Sequence, residues 1–189
     1  MTTEVGMLQH SRFSMPDPRF GYTTDDNARA LLVAAWYASR KKGQVLASLA
    51  GVYMRFLERA QKRDGWFHNF TDASGRFIDE RGSDDCLGRV IWGCASALTN
   101  GLSRSVSLRA ERVLQRSLGA VEGLKYPRGA AYAILGLEEL SRVPHYGEVA
   151  RKYARRLAHR PRGFRETGGE GGKGERRLKP GRFSIRPSS

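Results

Sequence analysis

Apolar residues recur at three- and four-residue steps through most of this chain, and glycine, proline and charge interrupt them at intervals. Ala28, Leu31, Leu32, Ala35 and Trp36 form one such run, opening at Asp25 and stopped by Lys41-Lys42-Gly43. A second helix is predicted over residues 44–62, with Leu46, Leu49, Val52, Tyr53, Phe56 and Leu57 on its inner face and Asp64-Gly65 as its break. A third is predicted over 84–99, with Ser83 as N-cap and Asn100-Gly101 as its stop. A fourth covers 105–119. Pro127 suits the first turn of a fifth, over 127–140, and Pro144 precedes a sixth over 145–159. Six helices in three antiparallel hairpins predict an all-α fold.

One connection is long, and it carries a pattern of its own. Trp66-Phe67-His68-Asn69-Phe70, a turn at Asp72-Ala73-Ser74-Gly75, and Arg76-Phe77-Ile78-Asp79 predict a short β-hairpin over 66–79. Loops of this length in compact domains are uncommon and often functional.

The chemistry concentrates where helices begin. Thr24-Asp25-Asp26-Asn27-Ala28-Arg29 opens the first helix and Ser83-Asp84-Asp85-Cys86-Leu87-Gly88-Arg89 the third, while Lys125-Tyr126-Pro127-Arg128 opens the fifth. These mouths form an imperfect repeat of roughly 40–60 residues, the range of stacked helix pairs. Such pairs close around an axis as a toroid or extend as a solenoid. Carboxylates beside aromatic residues at helix mouths suit a sugar-handling site. Ordinary capping produces the same doublets, since an acidic residue in a first turn gains about 0.3–1 kcal/mol from the helix dipole. The Asp25-Arg29 and Asp85-Arg89 spacings also match simple i,i+4 surface pairs.

Composition narrows the partners. The chain has 189 residues, 40% of them hydrophobic, enough for one domain with a sizeable core. No apolar run approaches the ~18–20 residues of a membrane span, and the first residues lack a signal-peptide pattern, so a cytoplasmic protein without membrane partners is expected. The net charge of +14 would suit nucleic acid. Its arginines are scattered through helices and a tail with no nucleic-acid motif, which weighs against that partner. Cys86 and Cys94 lie about two turns apart on one predicted helix, too far for a disulfide, and read as buried free thiols. His10 and His68 lack metal-ligand spacing, and neither a metal nor a cofactor is expected.

Residues 160–189 are rich in Gly, Arg and Glu, with Phe164, Leu178, Phe183 and Ile185 as their only large apolar side chains. They are expected to be a disordered basic tail after a helical domain of residues 1–159. The sixth helix reads as cut off in mid-domain, and an unrelated tail is what a frameshifted or truncated gene leaves. A helical continuation in another frame of the coding DNA would mark that event.

Two ordered stretches resemble a bacterial six-hairpin toroid family that is glycosidase-like in fold and often associated with group-one glycosyltransferases. The first is Gly6-Met7-Leu8-Gln9-His10-Ser11 with Pro16-Asp17-Pro18-Arg19-Phe20-Gly21-Tyr22-Thr23-Thr24-Asp25-Asp26-Asn27-Ala28-Arg29. The second is Asp64-Gly65-Trp66-Phe67-His68-Asn69-Phe70 with Asp79-Glu80-Arg81-Gly82-Ser83-Asp84-Asp85 through Arg89 and Trp92. The resemblance covers residues 4 to about 158 and implies a partial (α/α) toroid of about three hairpins. Six hairpins need roughly 250–350 residues, so this chain supplies about half a ring, with two open helix edges that invite self-association. It implies a carbohydrate-active protein that acts on or binds a glycan or small sugar, inactive if the ring is incomplete.

Hydrolysis would need an acid and a base among Asp25, Asp26, Asp79, Glu80, Asp84 and Asp85, with Asp79 also expected as a substrate contact. Further substrate contacts are expected from His10, Tyr22, Asn27, Arg29, Trp66, His68, Asn69 and Arg89. For Trp66 and the two histidines, a place in the core or a structural hydrogen bond is the competing reading. The alternative function is a non-catalytic helical-repeat module that binds a glycosyltransferase or another partner.

Overall fold

The computed structural model describes residues 1–38 and 44–159. Two strands, β1 (Leu8–Arg12) and β2 (Met15–Tyr22), form an antiparallel pair. The helices are α1 (Thr24–Ala38), α2 (Gln44–Ala60), α3 (Asp84–Thr99), α4 (Arg104–Ser117), α5 (Pro127–Leu140) and α6 (Gly147–Ala158). A 3-10 turn over Gly119–Gly123 follows α4, where the sequence predicts one helix running on to residue 119. The stop at Lys41-Lys42-Gly43, the tail over residues 160–189 and the Leu46 side chain lie outside the described residues.

Local signals set most helix ends. The Ser83 hydroxyl accepts the Cys86 amide at 3.3 Å and opens α3, and the Asn100 amide donates to Ser96 as it closes. Ser103 caps α4 in the same way through the Val106 amide. Pro127 occupies the first turn of α5, where its missing N–H costs nothing.

The helices pack in two layers. α3 lies between α1 and α5, while α2 packs on α1, α4 on α3 and α2, and α6 on α5. Side-chain pairings show that α1, α3 and α5 run in the same direction. Asp25 meets Arg89 and Ala28 meets Gly93; along the other seam Gly88 meets Gly129, Trp92 meets Gly136, and Ser96 meets Glu139. The α3–α5 seam is a backbone-to-backbone approach. A Cβ on Gly88 would stand 2.2 Å from the Gly129 carbonyl oxygen, and one on Gly129 would stand 2.5 Å from the Asp84 carbonyl carbon. Between the layers lies the core, with Leu31, Met54, Phe56, Leu57, Leu87, Ile91, Leu114 and Leu137 each fully buried.

Two regions depart from expectation. The β1–β2 pair adds a small sheet to a fold the sequence reads as all-α. Its two-residue turn puts Phe13 at φ 56° with the side chain 92% exposed. Residues 66–79 form no hairpin of strands. Instead two turns of the same build follow each other, one closed by a bridge between Gln61 and Phe67, the next by a bridge between Thr71 and Phe77. Each turns on a glycine at φ 83°, Gly65 and Gly75, with an Asp side chain holding backbone amides: Asp64 takes Trp66, and Asp72 takes Ser74 and Arg76. A cross-chain bridge needs one register only, and here the tight Asp-Gly turns supply it without a strand.

Candidate functional site

The double turn is fastened to the start of α1, and this fixes the first acidic doublet. Thr24 donates its amide to the Asn69 carbonyl (2.8 Å) and its hydroxyl to the His68 carbonyl (2.6 Å). The Asn69 side-chain oxygen accepts the Asp25 amide at 3.1 Å, so it caps a helix from a distant loop. Alongside, the Thr71 amide donates to the Tyr22 carbonyl and the Tyr22 amide to the Thr71 hydroxyl, and Asn27, fully buried, binds the Met7 amide at 2.8 Å.

From this frame the charged groups meet at the aligned N-terminal ends of α1, α3 and α5. The Arg89 guanidinium, on α3, clasps both oxygens of Asp25 on α1 and donates to the Tyr132 hydroxyl on α5 at 3.0 Å. It also stands 4.6 Å from the centre of the Tyr132 ring. Burial works against the charge on Arg89, but the hydrogen bonds to Asp25 and Tyr132 outweigh it and hold the guanidinium above its ordinary pKa. Asp26 accepts the Thr23 hydroxyl at 2.6 Å and pairs with Arg29, whose guanidinium also lies 3.6 Å from Asp25. Asp85 pairs with Arg128 on the far side of the seam. A recess of about 450 Å³, lined by Ser83, Asp84, Asp85, Tyr126, Pro127 and Arg128, opens there.

Other expected site residues lie away from this cluster, and several of them hold the frame. Asp84 is buried, and one of its carboxylate oxygens accepts the Lys125 and Tyr126 amides, the latter at 2.7 Å, so it holds the α5 mouth against α3. Asp79 accepts the Asn69 and Phe70 amides at 2.7 and 2.9 Å and closes the double turn. Glu80 is exposed, and it is its carbonyl, not its carboxylate, that takes the Lys62 ammonium at 2.7 Å. Trp66 is buried at 6% exposure beneath the Arg81 guanidinium, and Tyr22 is buried against Phe56. His68 bonds the Asp79 carbonyl at 2.6 Å and stacks on Phe77, while His10 sits on β1 against Phe20.

The structure therefore brings together Asp25, Asp26, Arg29, Arg89 and Asp85, and adds Tyr132 and Arg128, which no doublet marked. Their signal was positional: Arg128 follows the helix-opening proline, and Tyr132 lies one turn further along the same face. Cys86 and Cys94 are both buried, and burial pushes both thiols above their ordinary pKa, which leaves them inert. Among the described residues no group of three or more His, Cys, Asp or Glu could hold a metal ion, and no helix is long and apolar enough to cross a membrane. No protein-family model, curated protein or solved structure matches this chain.

Proposed function

We propose that the α1–α3–α5 row is an arc of an (α/α) toroid and that the chain is a carbohydrate-active protein of the six-hairpin, glycosidase-like type. It holds a glycan at the shared mouth of the three helices. The observation that supports this reading is Arg89, which reaches from α3 to Asp25 on α1 and Tyr132 on α5, flanked by the Asp26–Arg29 and Asp85–Arg128 pairs. Planar charged groups beside a tyrosine hydroxyl offer paired donors and acceptors to neighbouring sugar hydroxyls.

Binding fits this arrangement better than hydrolysis. A glycosidase sets two carboxyl groups facing each other across the scissile bond, about 5–5.5 Å or 6.5–9.5 Å apart. Here the carboxylates of Asp25, Asp26 and Asp85 each pair with a guanidinium, and one oxygen of Asp84 is taken by two backbone amides. The test is a glycan array read with the wild-type chain and with an Arg29→Ala, Arg128→Ala variant. Both arginines are more than half exposed, so their loss leaves the fold intact. Binding that disappears in the double variant supports the reading; identical binding profiles overturn it. Turnover of aryl glycosides by the wild type would restore the hydrolytic role.

A further inference from the structure

The opposite end of the same helices carries a second, differently built cleft. About 540 Å³ in volume, it is lined by Trp36, Thr99, Asn100, Glu139, Arg142 and Val143, with Pro144 at its rim. A 16-residue α3 separates it from the acidic mouth by roughly 24 Å.

Its polar groups are held in place from behind. The Glu139 carboxylate, half-buried, accepts the Trp92 indole N–H at 3.0 Å and the hydroxyl of Ser96, which is itself fully buried. Thr99 approaches the same carboxylate at 3.5 Å. Two good donors leave lone pairs on a carboxylate that can accept about four hydrogen bonds. Arg142 is exposed in the same cleft and forms no ion pair among the described residues. Trp36 is 44% exposed and meets Trp92 edge-to-face at 5.6 Å between ring centres, while Trp92 stacks on Tyr132.

An anchored carboxylate, an adjacent guanidinium and a half-exposed indole in one cleft match the surface of a pyranose ring. Vicinal equatorial hydroxyls pair with planar polar groups, and the C–H face lies on the aromatic ring. Sugars of the gluco configuration, with every hydroxyl equatorial, present the flattest such face. We infer that this cleft at the C-terminal ends of α1, α3 and α5 is a saccharide-binding site for gluco-configured pyranosides, separate from the acidic mouth.

The test is saturation-transfer NMR and calorimetry on the full chain, with methyl β-D-glucopyranoside and cellotriose as probes and methyl β-D-galactopyranoside as the epimeric control. Saturable binding of the gluco probes, weaker for the galactoside, is expected. Trp36→Ala should lower affinity about tenfold, the size of one lost ring contact. Glu139→Gln, which retains an acceptor for the Trp92 N–H, should weaken binding several-fold while the thermal melt stays near wild type. Arg29→Ala, Arg128→Ala should leave affinity for these probes unchanged, so failure here and failure at the acidic mouth are told apart. No saturable binding by the wild type, or undiminished binding by Trp36→Ala, overturns the inference.

Discussion

The two ends of the α1–α3–α5 row use charge in opposite ways. At the N-terminal end the described carboxylates are engaged by guanidinium groups or by amides of neighbouring elements, so the charges join three helices to each other. At the C-terminal end Glu139 is held by an indole and two hydroxyls, and Arg142 in the same cleft forms no ion pair among the described residues. The backbones of α3 and α5 touch along the seam, at Gly88 and Gly129 near their starts and at Trp92 and Gly136 further along, so the difference lies in the side chains that flank it. Arginines meet carboxylates across the N-terminal end, while Trp36, edge-to-face on Trp92, borders the cleft at the other.

If close backbone approach organises the N-terminal end, the largest effect should come from filling it. Gly129→Val would push a branched side chain into the Asp84 backbone, and a loss of roughly 4 kcal/mol or more is expected. Chemical denaturation would check it; a loss below about 1 kcal/mol would mean the seam is loose. Next, Arg89→Ala leaves Asp25 without its main partner. Each side chain of that pair keeps 19% exposure, so the cost should fall below that of a fully buried pair, at about 2–4 kcal/mol. Arg89→Lys should recover only part, because an ammonium cannot span Asp25 and Tyr132 with the same fork.

The C-terminal end should respond less. Glu139→Ala orphans the buried Ser96 hydroxyl and the Trp92 N–H, for about 1–3 kcal/mol, measured by the same denaturation curves. A larger loss than for Arg89→Ala would reverse the contrast between the ends. The smallest effect is expected at Asp17 on β2, whose carboxylate pairs with the exposed Arg19. Hydrogen bonds from the Arg19 side chain lower its pKa to about 2. A depressed carboxylate pKa favours the folded state above the unfolded value near 3.8, and that contribution is lost as pH falls from there towards 2. NMR titration of Asp17 should show the low midpoint in the wild type and its return towards the ordinary value in Arg19→Ala.

Much of the helical body was legible because its signals are local. The Ser83 cap, the Asn100-Gly101 stop and Pro127 each act within one turn of the residues they specify, and α3 and α5 begin and end where those signals stand. Signals that need a distant partner were not legible. The Phe13 turn lacks the glycine or asparagine that marks a hairpin, and β2 ends where Tyr22 is tied to Thr71 across the fold. The two Asp-Gly turns were visible one at a time, yet their shared task of capping α1 through Asn69 was not.

The sequence by itself determined where helices lie to within about two residues, which faces are apolar and that carboxylates gather at helix mouths. Capping, periodicity and charge at a helix end are properties of a few neighbouring residues. Which carboxylate is structural and which stands at the surface was decided only in three dimensions. Asp84 and Asp85 are neighbours in sequence, but one faces the Lys125 and Tyr126 amides just before α5 and the other faces Arg128. Adjacent residues on a helix point about 100° apart, and only the packing of α5 says what each direction meets.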